Sequence, residues 1–336
     1  MLYYENLDEI IFTKEQLVSC DELIILSGYV GPNPIHKLND LGIKSTVIYG
    51  MYGSDGIRKS LHEALLKEHQ TSDKVDILYS TIPVHSKCYV WKKNGTVQSA
   101  LIGSANFSDN GLKTPYREVL ADATKDTFQP LNKYLDMVMG GAILCEVAKP
   151  KDNLHNVLSE NLEEEHIDAK VCVTRLYLER SSGEKYIPAS SGLNWGQSTT
   201  AHVNRNDAYI AIRSNMIDKY PTLFPRKQEK PLIVDGIVRR DHRHNDSIEI
   251  ILDDGTVMTG LMEGTFWKII DGERVAFPKQ ITSTPNKATL GEYLRKRIGV
   301  KSGVQIKYED LLIYGRDTID ISLQGEGIYY FDFSVK

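Results

Sequence analysis

Apolar and polar positions along the first 140 residues repeat with two different periods. Short continuous apolar runs, typical of buried strands, occur at 21–28, 45–50 and 75–80. Apolar residues spaced three or four positions apart predict helices between and before these runs, at 14–20, 35–41 and 57–69. Because strands and helices alternate, the pattern predicts an α/β layer structure with a largely parallel sheet.

Further strands are predicted at 86–92, 98–103 and 117–122, with little helix between them, and a helix over 127–140 ends this domain. The first domain is therefore assigned to residues 1–148, with a mixed sheet and flanking helices. Residues 149–170 are polar and strongly acidic toward their end, so we expect a linker containing a helix with one packed face.

From Val171 onward the pattern changes to short β-rich runs separated by Gly and Asp turns, which predicts a mainly-β barrel or sandwich over 171–336. Two helical segments, 289–299 and 308–315, interrupt it. The β-rich runs are 171–178, 208–213, 231–238, 247–252, 256–262, 317–323 and 328–335.

Length and composition agree with two ordinary folded domains, because 336 residues with 41% hydrophobic content can bury two cores. The first ten residues lack the basic start and apolar core of a secretory signal, and the longest apolar run, 137–145, is too short to cross a bilayer. We therefore expect a cytoplasmic protein without a membrane element. Four scattered cysteines, expected to be buried thiols, suggest neither a disulfide framework nor a zinc site: Cys20, Cys88, Cys145 and Cys172.

The net charge of −5 is unevenly distributed along the chain. Residues 1–170 carry 17 basic and 24 acidic residues, whereas residues 171–336 carry 23 basic and 21 acidic residues. Local basic clusters lie at 239–244 (RRDHRH) and 295–297 (RKR). The mildly basic second half is a weak indication of a nucleic-acid partner.

The candidate chemistry is concentrated in residues 84–119. His85 and Lys87 are two positions apart, so on a strand they project from one face. A Gly-Ser-Ala-Asn turn, 103–106, follows the strand ending at Ile102, and Glu118 lies at the start of the next strand. Phosphodiester cleavage requires a nucleophile, positive charge, hydrogen-bond donors and an acid, and this set supplies all of them.

Each of these residues alone has an ordinary structural explanation. A histidine on a strand is usually structural, a neighbouring lysine is usually solvated, and Ser104 or Asn106 can cap a helix. Glu118 beside Arg117 can be an exposed ion pair. The order of the whole set, HxK followed by GSxN and a Glu, is more specific than any single member.

The pair of motifs HSK (85–87) and GSAN (103–106) resembles the phospholipase D superfamily, and in particular its nuclease branch. More closely, the chain resembles the NgoFVII-type restriction endonucleases, in which this nuclease domain precedes a B3-like DNA-binding pseudobarrel. The second half carries the resemblance through SSGLNWGQ, NRNDAYIAI, TLGEYLRKRIGV and the terminal YYFDFSV.

One position departs from the longer superfamily signature, which has an Asp five residues after the Lys. This chain has Lys92 there, which weakens the assignment to a lipid phosphodiesterase. The resemblance implies that Glu118 takes over the role of orienting His85. A membrane element, which a lipase would need, is also missing from the sequence pattern.

The resemblance and the chemistry together imply a metal-independent phosphohistidine mechanism in a homodimer. The 336 residues contain one HxK, whereas the reaction needs one His as nucleophile and a second as acid. His85 of each copy would supply them, while Lys87, Ser104 and Asn106 would hold the phosphate oxygens. No cofactor or metal is expected.

The resemblance implies that double-stranded DNA is gripped by two arms of the B3-like domain, matched here to 190–206 and 282–297. Asn and Gln side chains pair with adenine edges, Arg pairs with guanine, and Lys contacts phosphate. Packing or solvation remains an alternative for each member of the set. The residues are Asn194, Trp195, Gln197, Arg205, Asn206, Ser283, Asn286, Lys287, Arg295 and Arg297.

The leading functional hypothesis is a sequence-specific, type II-like restriction endonuclease. The alternative is a DNA-binding protein whose nuclease domain is silent or acts only with a partner ATPase. Some relatives of this group work with a helicase-like ATPase, through which ATP would enter, and a restriction system would also need a matching methyltransferase.

Overall fold

The computed structural model describes residues 1–115, 117–150, 171–200, 202–227, 232–234, 237–239 and 245–335. By their contacts the residues divide into two units. The first contains the described residues up to 150 together with Gln324–Ile328, and the second contains the described residues 171–323 and 329–335. Most of the predicted linker, 151–170, lies outside the described residues.

The first unit is an α/β structure. Its strands are β1 (Leu2–Tyr3), β2 (Glu22–Ser27), β3 (Lys44–Tyr49), β4 (Val75–Ser80), β5 (Lys87–Lys93), β6 (Thr96–Gly103), β7 (Leu120–Asp122) and β8 (Ala142–Leu144). Its α-helices are α1 (Leu7–Leu17), α2 (Pro32–Lys37), α3 (Tyr52–Asp55), α4 (Lys59–Thr71), α5 (Asp109–Lys113) and α6 (Lys125–Gly140). The described strands form one sheet in the order β1-β7-β6-β5-β2-β3-β4-β8.

This sheet is mixed. β2 pairs with β3 and β3 with β4 in parallel, whereas β5 pairs with β2 and β6 in antiparallel fashion. The mixed sheet predicted for this domain is therefore confirmed, and its parallel part consists of β2, β3 and β4, where strands and helices alternate. Asn94 and Gly95 both have positive φ and form the two-residue turn that joins β5 directly to β6.

Strand register brings the two sequence motifs together. Lys87 at the start of β5 lies opposite Gly103 at the end of β6, and Gly103 lies opposite Leu120 of β7. On the other side of β5, Cys88 pairs with Leu26 of β2. The polar residues beyond these strand ends therefore meet at one edge of the sheet.

Apolar side chains on both faces hold the sheet of the first unit. On one face, α6 contributes Leu131, Leu135 and Val138 to a cluster with strand residues such as Val90. The strands β2 and β5 are buried along nearly their whole length. Near-continuous apolar strands are expected when helices cover both faces.

The second unit is rich in strands. They are β9 (Val171–Arg175), β10 (Leu178–Glu179), β11 (Lys185–Tyr186), β12 (Ile210–Ala211), β13 (Leu232–Val234), β14 (Ile237–Arg239), β15 (Asp246–Leu252), β16 (Val257–Glu263), β17 (Phe266–Ile270), β18 (Glu273–Phe277), β19 (Gln280–Ser283), β20 (Thr318–Gly325) and β21 (Ile328–Asp332). Its α-helices are α7 (Ser214–Lys219), α8 (Ala288–Ile298) and α9 (Tyr308–Tyr314), and a 3₁₀ segment covers Gly192–Gln197.

The main sheet of this unit has the order β12-β19-β16-β15-β21-β20-β9 and curls as a half-barrel, which confirms the mainly-β prediction. Its concave side is filled by a large apolar cluster that includes Phe224, Ile250 and Phe331. Helix α8 joins this cluster through Leu290 and Leu294.

Arg295 of α8 is only 1% exposed and links three segments of this unit by hydrogen bonds. Nε donates to the carbonyl of Val304, Nη1 to that of Gly291 and Nη2 to that of Leu193, each at 3.1 Å. A buried guanidinium is tolerated when its donors are satisfied in this way. Arg295 therefore connects α8 to the 3₁₀ segment and to the loop after α8.

Most predicted elements are confirmed within a few residues. The strand at 75–80 coincides with β4, and α4 and α6 lie within two residues of their predicted bounds. The helix predicted at 14–20 is instead α1, which begins at Leu7, because the buried Leu7 and Ile11 are one helical turn apart. The sequence did not predict β17, β18 or α7, and the strand expected at 208–213 shortens to β12.

The remaining structural expectations concern cysteines and membranes. Cys88, Cys145 and Cys172 are buried as expected, whereas Cys20 is half-buried, and all four are free thiols. Among the helices that the structure describes, none combines the length and apolar character needed to span a bilayer.

Replacing Arg295 with Met is expected to destabilise the second unit, because three carbonyl groups lose their donor and the hydrogen bonds to two of them, Gly291 and Leu193, are buried. The expected loss is about 3 kcal/mol in the free energy of unfolding. Lys296→Met is the matched control, since Lys296 is the exposed neighbour on the same helix. Urea unfolding of the full chain measures both; identical midpoints for the two variants would contradict the role assigned to Arg295.

Candidate active site and DNA-binding residues

His85 and Lys87 form the centre of the candidate site. Lys87 Nζ lies 3.1 Å from Nδ1 and 3.2 Å from Nε2 of His85, and it donates to the His85 carbonyl at 2.7 Å. Lys87 opens β5, but His85 precedes the strand, so the expectation that both lie on a strand is wrong for His85. The imidazole is exposed while the lysine is 5% exposed, which leaves the histidine accessible beside a buried cation.

Gly28, which directly follows β2, makes room for the imidazole. A Cβ at this position would lie 2.9 Å from Cδ2 of His85, closer than real carbon atoms approach. The ring of Tyr29 then packs edge-on against the His85 ring, with the centroids 6.0 Å apart. The residues that follow β2, Gly28 and Tyr29, thus limit the position of the His85 ring on one side.

Asn106 is 3% exposed, and its amide group is held in one orientation. Oδ1 accepts a hydrogen bond from the backbone N–H of Tyr29 at 3.1 Å and lies 3.4 Å from Oγ of Ser27. Because the oxygen is used inside the protein, Nδ2 must point the other way. There it donates to Oε2 of Glu326 at 2.9 Å.

Ser104 connects the GSAN turn to the segment before β7. Its backbone N–H donates to the Val119 carbonyl at 2.9 Å, and its Oγ accepts from the Val119 N–H at 3.1 Å. The side chain is exposed at the same edge of the sheet as His85. This pairing keeps the Ser104 hydroxyl near the site.

Glu118 lies next to Ser104, two residues before β7 begins at Leu120, and not in the strand as predicted. The pKa of Glu118 is raised, mainly by burial and further by the negative charge of Glu326. The interaction with Ser104 and the positive charges of Arg117 and Lys87 lower this pKa, but by less. Glu118 therefore interacts with Ser104. That Glu118 orients His85 stays a prediction.

The two carboxylates of the site, Glu118 and Glu326, affect the pKa of Lys87. Burial lowers its pKa, and the negative charges of Glu326 and Glu118 oppose that change. The pKa of Lys87 is therefore lowered overall, and the two anions offset only part of the effect of burial. An ammonium that is desolvated and needs an anion is suited to binding a phosphate oxygen.

The first unit therefore brings together His85, Lys87, Ser104, Asn106 and Glu118, which the sequence had predicted as a set. Sequence reasoning missed Ser27, Tyr29 and Glu326. A signal existed for the first two, because they follow the strand that pairs with the HxK strand. Glu326 lies 220 residues after Asn106 and carries no local signal.

Several predicted DNA-binding residues are buried and bonded to the backbone or to other side chains of the second unit. Asn194 is fully buried; its Nδ2 donates to the carbonyls of Pro188 and Ile306, and its Oδ1 accepts from the Ile306 N–H. Ser283 is buried and donates to the Asn286 carbonyl at 2.8 Å. With Arg295, these side chains have a structural role in the conformation described.

Asn206, Arg205 and Gln197 converge on one short loop after α8. Asn206 donates to Ser302 Oγ at 2.7 Å and accepts from the Gly303 N–H at 2.6 Å, while buried in a left-handed conformation with φ of 71°. Arg205 Nη2 donates to the Ser302 carbonyl at 2.7 Å, and Gln197 Nε2 donates to the Gly303 carbonyl at 3.0 Å. Arg205 is exposed, and its guanidinium group packs against Gly303.

The two predicted arms also meet at Trp195. Lys287 Nζ lies 4.9 Å from the centre of the Trp195 ring and pairs with Glu263 at 2.8 Å. Arg297 pairs with Asp253 at 2.8 Å and is half-buried. Asn286 is exposed, and its Oδ1 accepts from the Ala288 N–H.

The described part of the chain contains no group of three or more His, Cys, Asp or Glu side chains arranged to hold a metal ion. The basic cluster RRDHRH lies almost wholly outside the described residues, which omit 240–244.

Comparison with known proteins gives two levels of similarity. No curated protein matches the sequence. Among solved structures, NucT from Helicobacter pylori shares 16% identity over 43% of this chain and 97% of that chain, with a TM-score of 0.32. Polyphosphate kinase from Porphyromonas gingivalis shares 14% identity over 41% of this chain and 21% of that one, with a TM-score of 0.29.

Family models match nearly the whole chain. Residues 5–151 match the NgoFVII restriction endonuclease N-terminal PLD domain, where PLD denotes phospholipase D, and residues 168–324 match the NgoFVII C-terminal B3-like DNA-binding domain. The first range contains His85 and Lys87, and the second contains the half-barrel sheet apart from its end, including β21. The chain therefore belongs to the NgoFVII restriction endonuclease family, whose members join a DNA-cleaving domain to a DNA-binding domain.

Proposed function

We propose that this chain is a type II-like endonuclease that cleaves double-stranded DNA at specific sites through a phosphohistidine formed on His85. The observation that carries the proposal is the exposed His85 imidazole next to two buried groups, the Lys87 ammonium and the outward-facing Asn106 Nδ2. A nucleophile next to a cation and a neutral donor suits attack on a phosphodiester.

In the proposed first step, a ring nitrogen of His85 attacks the phosphorus atom. A nitrogen–phosphorus bond forms, the bond from phosphorus to the leaving oxygen breaks, and a second imidazole protonates that oxygen. In the second step the same imidazole removes a proton from water, whose oxygen attacks phosphorus. The nitrogen–phosphorus bond then breaks, and His85 is regenerated.

The second imidazole is His85 of a second copy of the chain. One HxK is present in 336 residues, whereas the two steps need a nucleophile and a separate proton carrier. A two-fold axis next to the site would place both copies of His85 against one phosphate. Lys87, Ser104 and Asn106 stabilise the phosphate oxygens in this scheme, and Glu118 is assigned to orienting the imidazole.

The steps of this proposal use side chains only and assign no step to a metal or to ATP. Imidazole nitrogens act as nucleophile and acid without prior ionisation of water, and the lysine and amide stabilise the developing charge. We accordingly propose that cleavage is independent of divalent cations and of a partner ATPase.

Specificity is assigned to the second unit. The exposed residues of the two arms, Arg205 and Asn286, are proposed to read base edges, while Trp195, Gln197, Lys287 and Arg297 support the arms or contact phosphate. Arg205 is the strongest candidate, because its side chain is exposed and one guanidinium nitrogen is held on the Ser302 carbonyl, which fixes the plane of a group suited to pairing with guanine.

The His85→Ala protein should bind DNA but cut it at least about 1,000-fold more slowly, because it loses both the nucleophile and the proton carrier. Digestion of a plasmid of known sequence measures this, in EDTA and without ATP. The wild-type protein should give fragments with defined ends under these conditions.

His36→Ala is the matched control, since His36 is an exposed histidine of the same unit, paired with Glu68. It should cut like the wild type. Cleavage by His85→Ala, or wild-type cleavage that requires magnesium or ATP, would contradict the mechanism.

Mixing experiments test the shared site. A tenfold excess of His85→Ala chains, allowed to exchange with wild-type chains, should reduce wild-type cleavage to about one tenth, because most wild-type chains then lack a second His85. Sedimentation of the same mixtures reports the dimer. Undiminished cleavage in the mixture would show that one copy is sufficient.

Arg205→Ala should weaken binding to the recognised sequence by about tenfold to a hundredfold, because one good base contact contributes about 1–3 kcal/mol. Binding to unrelated DNA should change much less. Arg226→Ala, which removes another exposed arginine of the same unit, controls for net charge. An equal loss with specific and unrelated DNA would reassign Arg205 to phosphate contact.

A further inference from the structure

The turn Gln324–Ile328 contacts the candidate site, and its contacts place it in the first unit. Ser60 Oγ donates to Gln324 Oε1 at 2.7 Å, which anchors one end of the turn. Gly327 has a φ of +70°, and a Cβ there would collide with the side chain of Asn110. The close approach of this turn therefore depends on glycine.

Glu326 lies between these anchors and faces Asn106. Its Oε2 accepts the Asn106 Nδ2 hydrogen bond at 2.9 Å. Since Oδ1 of Asn106 is held by the Tyr29 N–H, the amide cannot turn over to offer another atom. A carboxylate oxygen therefore uses the donor that the proposed mechanism assigns to a phosphate oxygen.

The charge of Glu326 also acts on the rest of the site. It opposes the fall that burial causes in the pKa of Lys87, and it adds to the rise in the pKa of Glu118. Glu326 is thus an anion near the amide and the ammonium together, as a bound phosphate would be. Its side chain is exposed, so it can rotate into solvent without breaking the fold.

We propose that Glu326 is an internal competitor of the substrate phosphate: its carboxylate occupies the anion position formed by Asn106 and Lys87, and an incoming phosphate must displace it. The inference rests on the proposed function only in naming the competing anion as a DNA phosphodiester. The physical basis is electrostatic, since an anion bound at the same amide and ammonium is repelled by the charge of the Glu326 carboxylate.

Glu326→Gln tests this in the full chain, because it keeps the size of the side chain and an oxygen acceptor for Asn106 but removes the charge. Inorganic phosphate is the probe, titrated by calorimetry at constant ionic strength. The variant should bind phosphate at least about fivefold more tightly than the wild type, within the usual range of coupling between two sites. Single-turnover cleavage of subsaturating DNA should accelerate in the same variant.

Two further variants test whether the tighter phosphate binding arises at the Glu326 position. Glu273→Gln removes the same charge from an exposed residue at the start of β18, beside another hairpin turn, and should leave phosphate binding unchanged. Adding Lys87→Met to Glu326→Gln should abolish the gain, because the probe then loses the ammonium at the same position.

Equal or weaker phosphate binding by Glu326→Gln would overturn the inference, as would an equal gain in Glu273→Gln. Undetectable binding to Glu326→Gln would also overturn it, because removing the competitor should expose the anion position. Failure of the wild-type protein to cut DNA would instead contradict the proposed function, and the phosphate titration would still decide the role of Glu326.

Discussion

The antiparallel register of β5 against β6 is the constraint on which the candidate site depends. It sets Lys87 opposite Gly103, and the next pairing sets Gly103 opposite Leu120. A slip of one residue would send Lys87 to the other face of the sheet and separate it from Asn106. The turn at Asn94-Gly95 starts this pairing, and an irregularity between Trp91 and Lys92 shifts it by one residue. The turn and the irregularity together therefore set the register at the site.

The sequence was sufficient to predict this site as a set because its members lie just before, at or just after the ends of neighbouring strands. His85, Lys87, Ser104, Asn106 and Glu118 all lie within 34 positions of one another in the sequence, and neighbouring strands bring such residues together. What the sequence could not show was the orientation of the Asn106 amide, because that depends on Tyr29 and Ser27 of a different strand. The contact with Glu326 was equally hidden, because it links positions separated by most of the chain.

The DNA-binding residues were harder to predict, and burial explains why. A resemblance identifies segments, but it does not distinguish a side chain that faces DNA from one that holds the segment in place. Asn194 and Arg295 carry many hydrogen-bonding atoms, which suits base recognition and suits tying loops together equally well. In the structure both are buried and bonded to backbone groups, whereas Arg205 is exposed. Residue type alone therefore does not decide whether such a side chain supports a loop or faces outward.

The fixed amide of Asn106 has a consequence for the entropy of substrate binding. The rotation of this side chain is lost when the protein folds, because Tyr29 and Ser27 hold its oxygen before any ligand arrives. A phosphate that later accepts from Nδ2 imposes no further loss of side-chain freedom at this position. A flexible surface side chain would lose conformational entropy when it binds the substrate. At Asn106 this entropy is lost when the protein folds, so it lowers the free energy of unfolding and not the affinity for the substrate.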